Sequence, residues 1–299
     1  MTSDNLCVLC GTELRVAIEA PPTTYAAPGA YGVSECPACG LGHTSPAPSE
    51  AALRDLYAQD YGYGAHDLIA PEKRWRSAQI LSRVVGASDH SILDIGCMQG
   101  FLLDAAKARG IARRQGIELS PGPAEEARRK GHDVFGGTVE EFARDRGDAP
   151  GFDVIVAQHV LEHVVDLASF VATTRQLLAP GGKLCLCVPN FSSKLRRALP
   201  RSWSWYQVPA HVYHFTLPSL TRLLEKVGLH IDQSFENGGD SLFLLMTGVN
   251  TLSSKAPGQM RKAPSMALRL GVRPVSRVLR SYFHLGDDEL MVVASEQKH

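Results

Sequence analysis

A chain of 299 residues with 44% hydrophobic and 21% charged residues has room for one large domain and a small appendage, and its composition is globular rather than fibrous or disordered. Lysine plus arginine equals aspartate plus glutamate at 31 each, so no net field draws in a polyanion, which disfavours RNA or DNA as substrate. No apolar run approaches the roughly 18 residues of a membrane span, and Met1 to Asn5 carries neither a basic flank nor a signal-like apolar stretch, so a cytoplasmic location is expected.

Four of the seven cysteines form two knuckles, Cys7-Val-Leu-Cys10 and Cys36-Pro-Ala-Cys39, separated by 25 residues and each followed by a glycine, Gly11 and Gly40. A C-x-x-C turn aims two thiolates at one ion, and the glycine after it lets backbone N–H groups approach the sulfurs, so the array predicts a closed, structural Zn2+ site with no open coordination position. The other three, Cys97, Cys185 and Cys187, lie in apolar stretches and read as buried thiols. From Met1 to Ser45 the acids Asp4, Glu13, Glu19 and Glu35 face one base, Arg15. That surface repels phosphates and argues against a module that guides an enzyme onto RNA. It reads instead as a stabilising element that could also face a substrate.

Pro46 and Pro48 close this module at residues 1–45. Residues 46–70 then read as a linker with a lead-in helix capped by Ser49 and running to Tyr57, followed by the tyrosines Tyr61 and Tyr63. These aromatics would cover a pocket or simply pack. A second helix is expected from Glu72 to Val85, with Ile80, Leu81 and Val84 on its apolar face.

Ser91-Ile-Leu-Asp94-Ile-Gly96-Cys97-Met-Gln-Gly100 reads as a buried strand, a glycine turn and the start of a helix, the opening crossover of a doubly wound sheet. Gly96 permits the tight turn and a close backbone approach to a ligand, and Gly100 permits close helix packing. Glu118, 24 residues after Asp94, ends a second strand with a carboxylate, the position that holds ribose hydroxyls in dinucleotide folds. Further strands are expected around Val134, across Phe152 to Gln158, and after the Pro180-Gly181-Gly182 turn. In this order the segments resemble motifs I, II, III, IV and VI of class I S-adenosylmethionine methyltransferases, over roughly residues 70 to 240. The resemblance implies an α/β, Rossmann-like, doubly wound and mostly parallel seven-stranded sheet, here with a small zinc-ribbon-like module in front. It further implies that Gly96, Cys97 and Gly100 face the methionine part of the cofactor, that Asp94 orients the loop and the cofactor amine, and that Glu118, beside Leu119, holds the ribose. Thr138 and Val139 would flank the adenine, and Gln158 would lie beneath the sulfonium.

Methyl transfer to a hydroxyl needs alignment and a base. Gln158-His159-Val-Leu-Glu162-His163 is expected to open a helix with His159, Glu162 and His163 on one face. It is similar to the E-x-x-E-H metal ligands of ubiquinone-pathway O-methyltransferases, but His159 replaces the first acid, which disfavours Mg2+. A second pair, His211 and His214, lies in Pro209-x-His211-x-x-x-Phe215-Thr216, a pattern that resembles a segment of bacterial sugar and surface-polysaccharide methyltransferases. The candidate bases are therefore His211, His214 and His159.

Between Lys194 and Tyr206, the arginines Arg196, Arg197 and Arg201 are followed by Trp203 and Trp205. Such a segment either clamps and stacks on a phosphorylated sugar or makes a helix with buried tryptophans. The domain at 71–299 also carries a basic helical insertion at about 241–286, with Lys255, Arg261, Lys262, Arg269, Arg273, Arg277 and Arg280. It reads as a lid or as a peripheral contact to an anionic membrane or lipid-linked substrate. The expected activity is S-adenosylmethionine-dependent O-methylation of a sugar-derived or other small-molecule acceptor. The alternatives are an RNA methyltransferase and a catalytically silent cofactor-binding partner protein.

Overall fold

The computed structural model describes residues 5–19, 31–49, 51–53, 56, 66–203, 205–237 and 287–297. Tyr57, Tyr61, Tyr63 and the basic insertion at about 241–286 lie outside these residues. In chain order the elements are β1 (Arg15–Ile18), β2 (Gly32–Glu35), β3 (Gly42–Ser45), α1 (His66–Val84), β4 (Ser91–Ile95), α2 (Phe101–Ala108), β5 (Arg113–Ile117), α3 (Pro121–Arg129), β6 (Asp133–Phe135), α4 (Val139–Arg146), β7 (Phe152–Gln158), α5 (Leu167–Gln176), β8 (Leu178–Pro189), α6 (Lys194–Ala198), β9 (Tyr213–His214), α7 (Leu217–Glu225), β10 (Leu229–Asn237) and β11 (Glu289–Glu296). None of the helices among these residues is long and apolar enough to cross a membrane.

The larger sheet has seven strands in the order β10-β11-β8-β7-β4-β5-β6. β4 pairs in parallel with β5 and β7, and the β5–β6 and β7–β8 ladders are parallel too. Parallel strands are covered by helices on both faces, which is why β4 and β7 are near-continuous apolar runs. All five residues of β4 are buried, and Val154, Ile155, Val156 and Ala157 of β7 are fully so. From β4 the chain winds outward to β5 and β6, then returns to the other flank of β4 as β7. Open α/β sheets bind ligands at such a switch point, outside the carboxyl ends of the strands. The Gly96 turn and the Gln158-His159 step are at those ends.

Local chemistry explains the helix starts. α3 begins at Pro121, whose fixed φ and missing N–H suit a first turn. α4 begins with a capping box: the Thr138 hydroxyl accepts from the Glu141 N–H, and the Glu141 carboxylate accepts from the Thr138 N–H at 2.8 Å. Ser49 caps the lead-in turn as expected, its Oγ accepting from the Ala52 N–H at 3.1 Å. α1 starts at His66, six residues before the expected Glu72, and buries Ile80, Leu81 and Val84 as the periodicity requires.

The expected helix after β7 is not formed. Residues Leu161–His163 make a single 3-10 turn, and α5 starts only at Leu167, where the Asp166 carboxylate accepts from the Ser169 N–H at 2.9 Å.

By contact the chain falls into two compact units, one comprising residues up to 59, 188–222 and 235–291, the other 60–187, 223–234 and 292–299. The N-terminal cysteine segment falls in the first of these units. Its three strands continue into β9, giving a four-stranded sheet β1-β2-β3-β9 in which Gly42 faces His214 and His43 faces Tyr213 across an antiparallel ladder. Ile18 and Val33 of this sheet share a core with Phe191, Trp203, Tyr206 and Val208.

Candidate active site

The turn after β4 is built on positive backbone φ angles: Gly96 at 74°, Met98 at 49° and Gly100 at 78°. A Cβ at Gly96 would sit 2.5 Å from Val160 Cγ2, and one at Gly100 would sit 2.7 Å from His132 Cδ2. Both glycines are therefore required for space as well as for conformation. Met98 holds the left-handed conformation despite its side chain, a strain of order 1 kcal/mol that persists where surroundings over-determine it. Glu118 is one such constraint. Its two carboxylate oxygens accept from the Met98 N–H at 2.9 Å and the Ser120 N–H at 2.8 Å, which ties the glycine turn to the end of β5.

Asp94 and Glu118 are both buried, 4% and 6% exposed. Burial, and then the neighbouring Glu118 charge, push the Asp94 carboxyl well above the usual carboxylate range. A cationic ligand beside them would reverse that penalty. Cys97 turns its side chain inward, into a core with Leu103, Ala124, Ala127 and Val134, so only its backbone is available to a ligand. Val139 is buried, whereas Leu119 is 59% exposed at the end of β5. The Thr138 hydroxyl is occupied by its capping box.

Gln99, between Met98 and Gly100, was not singled out by its sequence pattern. Its side chain is 1% exposed, and neither the amide nitrogen nor the amide oxygen has a hydrogen-bond partner.

At the end of β7 the chain turns sharply. His159 has φ 54°, and its N–H donates to the Cys187 carbonyl at 2.9 Å. Non-glycine residues in this conformation cluster at functional sites. The His159 Nδ1 lies 3.0 Å from Glu162 Oε1, and the Glu162 side chain is 1% exposed against 23% for His159. A carboxylate accepts, so Nδ1 carries the proton and Nε2 carries the lone pair. The 3-10 turn, rather than the expected helical face, brings this pair together.

In the other unit, the four cysteine sulfurs lie within 4.8 Å of one another. Cys7 and Cys39 are 3.6 Å apart, Cys10 and Cys36 3.4 Å, and Cys10 and Cys39 3.9 Å. A tetrahedral Zn2+ with Zn–S near 2.3 Å sets sulfurs about 3.8 Å apart, so the donor set fits that ion. Gly11 and Gly40 follow with φ 69° and 74°, their N–H groups donating to the Cys7 and Cys36 carbonyls.

The second knuckle and β3 are bonded to the segment 211–216, which carries the other two histidines. Thr216 Oγ1 donates to the Cys39 carbonyl at 3.2 Å, and the Thr44 hydroxyl donates to the His211 carbonyl. With its proton so used, Thr44 Oγ1 accepts from His214 Nε2 at 3.3 Å, which makes His214 the Nε2–H tautomer. His214 is 2% exposed and packed among Phe191, Trp203 and Tyr206, ring centroids 5.2, 6.4 and 6.0 Å away. Burial, and then the charge of Arg196, push its pKa down to about 3. His214 is a core histidine and a poor proton acceptor. His211 differs: its Nδ1 lies 2.7 Å from the Trp205 carbonyl, an obligate acceptor, so its lone pair is on Nε2.

The arginine and tryptophan segment is structural for its best-placed members. Trp203 and Tyr206 are buried, and the Arg196 guanidinium stacks 3.3 Å from the Phe191 ring centroid while bonding the Glu35 carboxylate at 3.0 Å. The expected sugar-stacking role does not fit those side chains.

An open, mostly parallel sheet with a glycine turn at its switch point, a carboxylate after the second strand and an acid–histidine pair after the fourth defines a Rossmann-like, class I S-adenosylmethionine-dependent methyltransferase. The chain belongs to the methyltransferase-domain family, which it matches over residues 71–234, more than half its length. It is 31% identical over 184 residues to the ubiquinone biosynthesis O-methyltransferase of Pasteurella multocida, a match covering 52% of this chain and 75% of that one. The protein of the same name from Aromatoleum aromaticum is 34% identical over 161 residues, 50% of this chain and 68% of the other. Among solved structures, the S-adenosylmethionine-dependent methyltransferase of Archaeoglobus fulgidus superposes with a TM-score of 0.51 over 80% of this chain and 98% of its own, at 16% identity. That likeness is one of fold.

Proposed function

We propose that the protein transfers the methyl group of S-adenosylmethionine to a hydroxyl oxygen of a sugar-derived or other small-molecule acceptor, with His159 as the base and a structural Zn2+ on Cys7, Cys10, Cys36 and Cys39. The observation that carries the reading is the His159–Glu162 pair at the end of β7. A hydroxyl must lose its proton as it attacks, and a base worth having there must present a lone pair held in a fixed direction. His159 meets both requirements, and the buried Glu162 carboxylate offsets the imidazolium that forms. His211, with its Nε2 lone pair, is the alternative base. The relatives named as O-methyltransferases support an oxygen acceptor.

The cofactor, when bound, supplies an activated methyl carbon on a sulfonium. With the cofactor bound, Glu118 would hold the ribose hydroxyls with its remaining lone pairs, Asp94 would serve the cationic part, Leu119, Thr138 and Val139 would serve the adenine, and Gln158 the sulfonium end.

Two results test this reading. Glu118→Ala removes the clamp on two backbone amides together with the ribose contact. Charge-assisted hydrogen bonds contribute roughly 1.5–3 kcal/mol each, so calorimetric titration with S-adenosylhomocysteine should show an affinity about 30- to 100-fold weaker. Affinity within threefold of wild type would move the ribose elsewhere. For the base, methyl transfer is measured against a panel of nucleotide sugars and phenols. With a productive acceptor, His159→Ala should lower kcat by about 10²- to 10⁴-fold with S-adenosylhomocysteine affinity unchanged, and Glu162→Gln less so. A wild-type rate in His159→Ala transfers the role to His211. A wild-type enzyme that methylates only amines or carbon acids ends the oxygen assignment.

A further inference from the structure

Two turns leave neighbouring strands at the same level. β4 and β7 pair in parallel with Asp94 opposite Val156 and Ile95 opposite Ala157, and one step further that register brings Gly96 level with Gln158. His159 then takes φ 54°, a conformation that a residue with a β-carbon holds only where its surroundings impose it. Two contacts do so. The His159 N–H donates to the Cys187 carbonyl at 2.9 Å, and the next side chain, Val160, is laid over Gly96. A β-carbon at Gly96 would lie 2.5 Å from Val160 Cγ2 and 3.9 Å from Val160 Cβ, and among the described residues beyond its chain neighbours it meets no other atom within 4 Å. The space left by the missing Cβ at Gly96 is thus a seat for one methyl group of Val160.

The two turns do not depend equally on this contact. The glycine turn is held from β5: the Gly96 and Cys97 N–H groups donate to the Ile117 carbonyl at 2.8 and 3.0 Å, and the Met98 N–H donates to Glu118 at 2.9 Å. The turn after β7 starts at Val160, whose carbonyl accepts from the His163 N–H at 2.9 Å. That bond closes the 3-10 turn in which Glu162 Oε1 comes within 3.0 Å of His159 Nδ1. Val160 is therefore the link through which the fixed glycine turn sets the place of the imidazole.

We propose that Val160 is a positioning residue for the base: seated on Gly96, it fixes His159 relative to the turn that serves the cofactor. The inference rests on His159 being the base. An aliphatic side chain offers nothing to a proton in transit, so Val160 acts through geometry alone, and a misplacement of about 1 Å costs on the order of 10²-fold in rate.

The experiment uses the full chain and the variants Val160→Ala, Val160→Thr, His159→Ala and the double variant of His159→Ala with Val160→Ala. Val160→Ala removes the seated methyl group. Val160→Thr keeps a branched side chain of the same shape, and its hydroxyl can reach water because position 160 is half-buried. The first readout needs no substrate. Exchange of the His159 amide proton in the unliganded protein, followed by NMR, should be about fivefold or more faster in Val160→Ala and within about twofold of wild type in Val160→Thr. S-adenosylhomocysteine affinity should stay within about threefold in both, because the glycine turn is held from β5. With a productive acceptor, kcat should fall about tenfold or more in Val160→Ala and return to within about threefold in Val160→Thr. The double variant should be no slower than His159→Ala, since the two changes remove one interaction. Unchanged exchange of the His159 amide in Val160→Ala overturns the proposal. So does a further loss of about tenfold when Val160→Ala is added to His159→Ala, the mark of a general support of the fold. A wild-type rate in His159→Ala alone overturns the assignment of the base instead, and the amide exchange still decides whether Val160 holds the turn.

Discussion

If Cys7, Cys10, Cys36 and Cys39 hold Zn2+ as proposed, chelating it should unfold the sheet that carries the cysteines and take β9 with it. Apparent free energies of structural zinc binding, about 10–16 kcal/mol in small domains at neutral pH, are in effect folding free energies, and they exceed the 5–15 kcal/mol typical of a whole domain or match it. The cysteine sheet is not an accessory that can melt alone. Gly42 pairs with His214 across the β3–β9 ladder, and a Cβ on Gly42 would strike both His214 Cβ and Phe191 Cε1 at 2.8 Å. Thr216 is bonded to the Cys39 carbonyl, and Thr44 to the His211 carbonyl. Loss of the ion therefore loosens the backbone under His211 and the packing of Trp203 and Tyr206. The expected result is a zinc content of one per chain, lost to a strong chelator together with the near-ultraviolet dichroism of the buried Trp203. The hydrogen bonds of the glycine turn run among residues 97 to 132, so S-adenosylhomocysteine binding should persist within about threefold, a factor worth less than 1 kcal/mol. If chelation removes metal but leaves both the dichroism and the exchange protection of residues 211–216 intact, the cysteines do not hold that strand. A chain that never carries zinc makes them a buried thiol cluster.

The parts of this fold that sequence pattern reveals are those set by local chemistry. A buried apolar run ending in Asp94-x-Gly96 announces strand, turn and helix within a dozen residues, and paired C-x-x-C knuckles announce converging thiolates. Two local signals were present and pointed elsewhere. Thr138-x-x-Glu141 is a capping-box pattern, and Asp166 before Leu167 is a helix start, yet the histidine and glutamate spacing after β7 suggested that the helix began at once. His159 turns left-handed instead, because its N–H is taken by Cys187 on the neighbouring strand. What could not be read locally depends on distant pairing. β9 adds to β3 across some 170 residues of chain, so the choice between a ligand clamp and buried packing for Arg196 and Trp203 stays open until the sheet they pack on is known. Gln99 was silent for a related reason: an unpaired amide is a property of burial from all sides, and no spacing encodes it.

Acid should destabilise the cysteine sheet and its aromatic core well before carboxylates titrate. His43 and His214 are 8% and 2% exposed. Burial pushes His43 down to about 4, while burial, Arg196 and His43 together push His214 down to about 3, from an ordinary 6.5. The folded state thus binds fewer protons than the unfolded state between pH 6.5 and the depressed values, so stability falls as the pH falls through that window and is fully present above it. At pH 5 each histidine costs about 2 kcal/mol relative to pH 7, and the pair costs about 4 kcal/mol, a large share of a domain's stability. Among the described residues neither ring has a carboxylate partner to hold its proton: His214 faces Thr44, Phe191, Trp203, Tyr206 and His211, and His43 packs edge-on to Tyr213 at 5.3 Å. Urea unfolding followed by tryptophan fluorescence should therefore show a midpoint that drops steeply between pH 7 and pH 5. His43→Leu removes a ring whose Nε2 has no partner, and should roughly halve that drop while leaving the midpoint at pH 7 nearly unchanged. A variant that unfolds at pH 5 as readily as wild type would mean that His43 keeps an ordinary proton affinity and that the acid sensitivity lies in the thiolates of the proposed zinc site, which the same titration with added zinc would move.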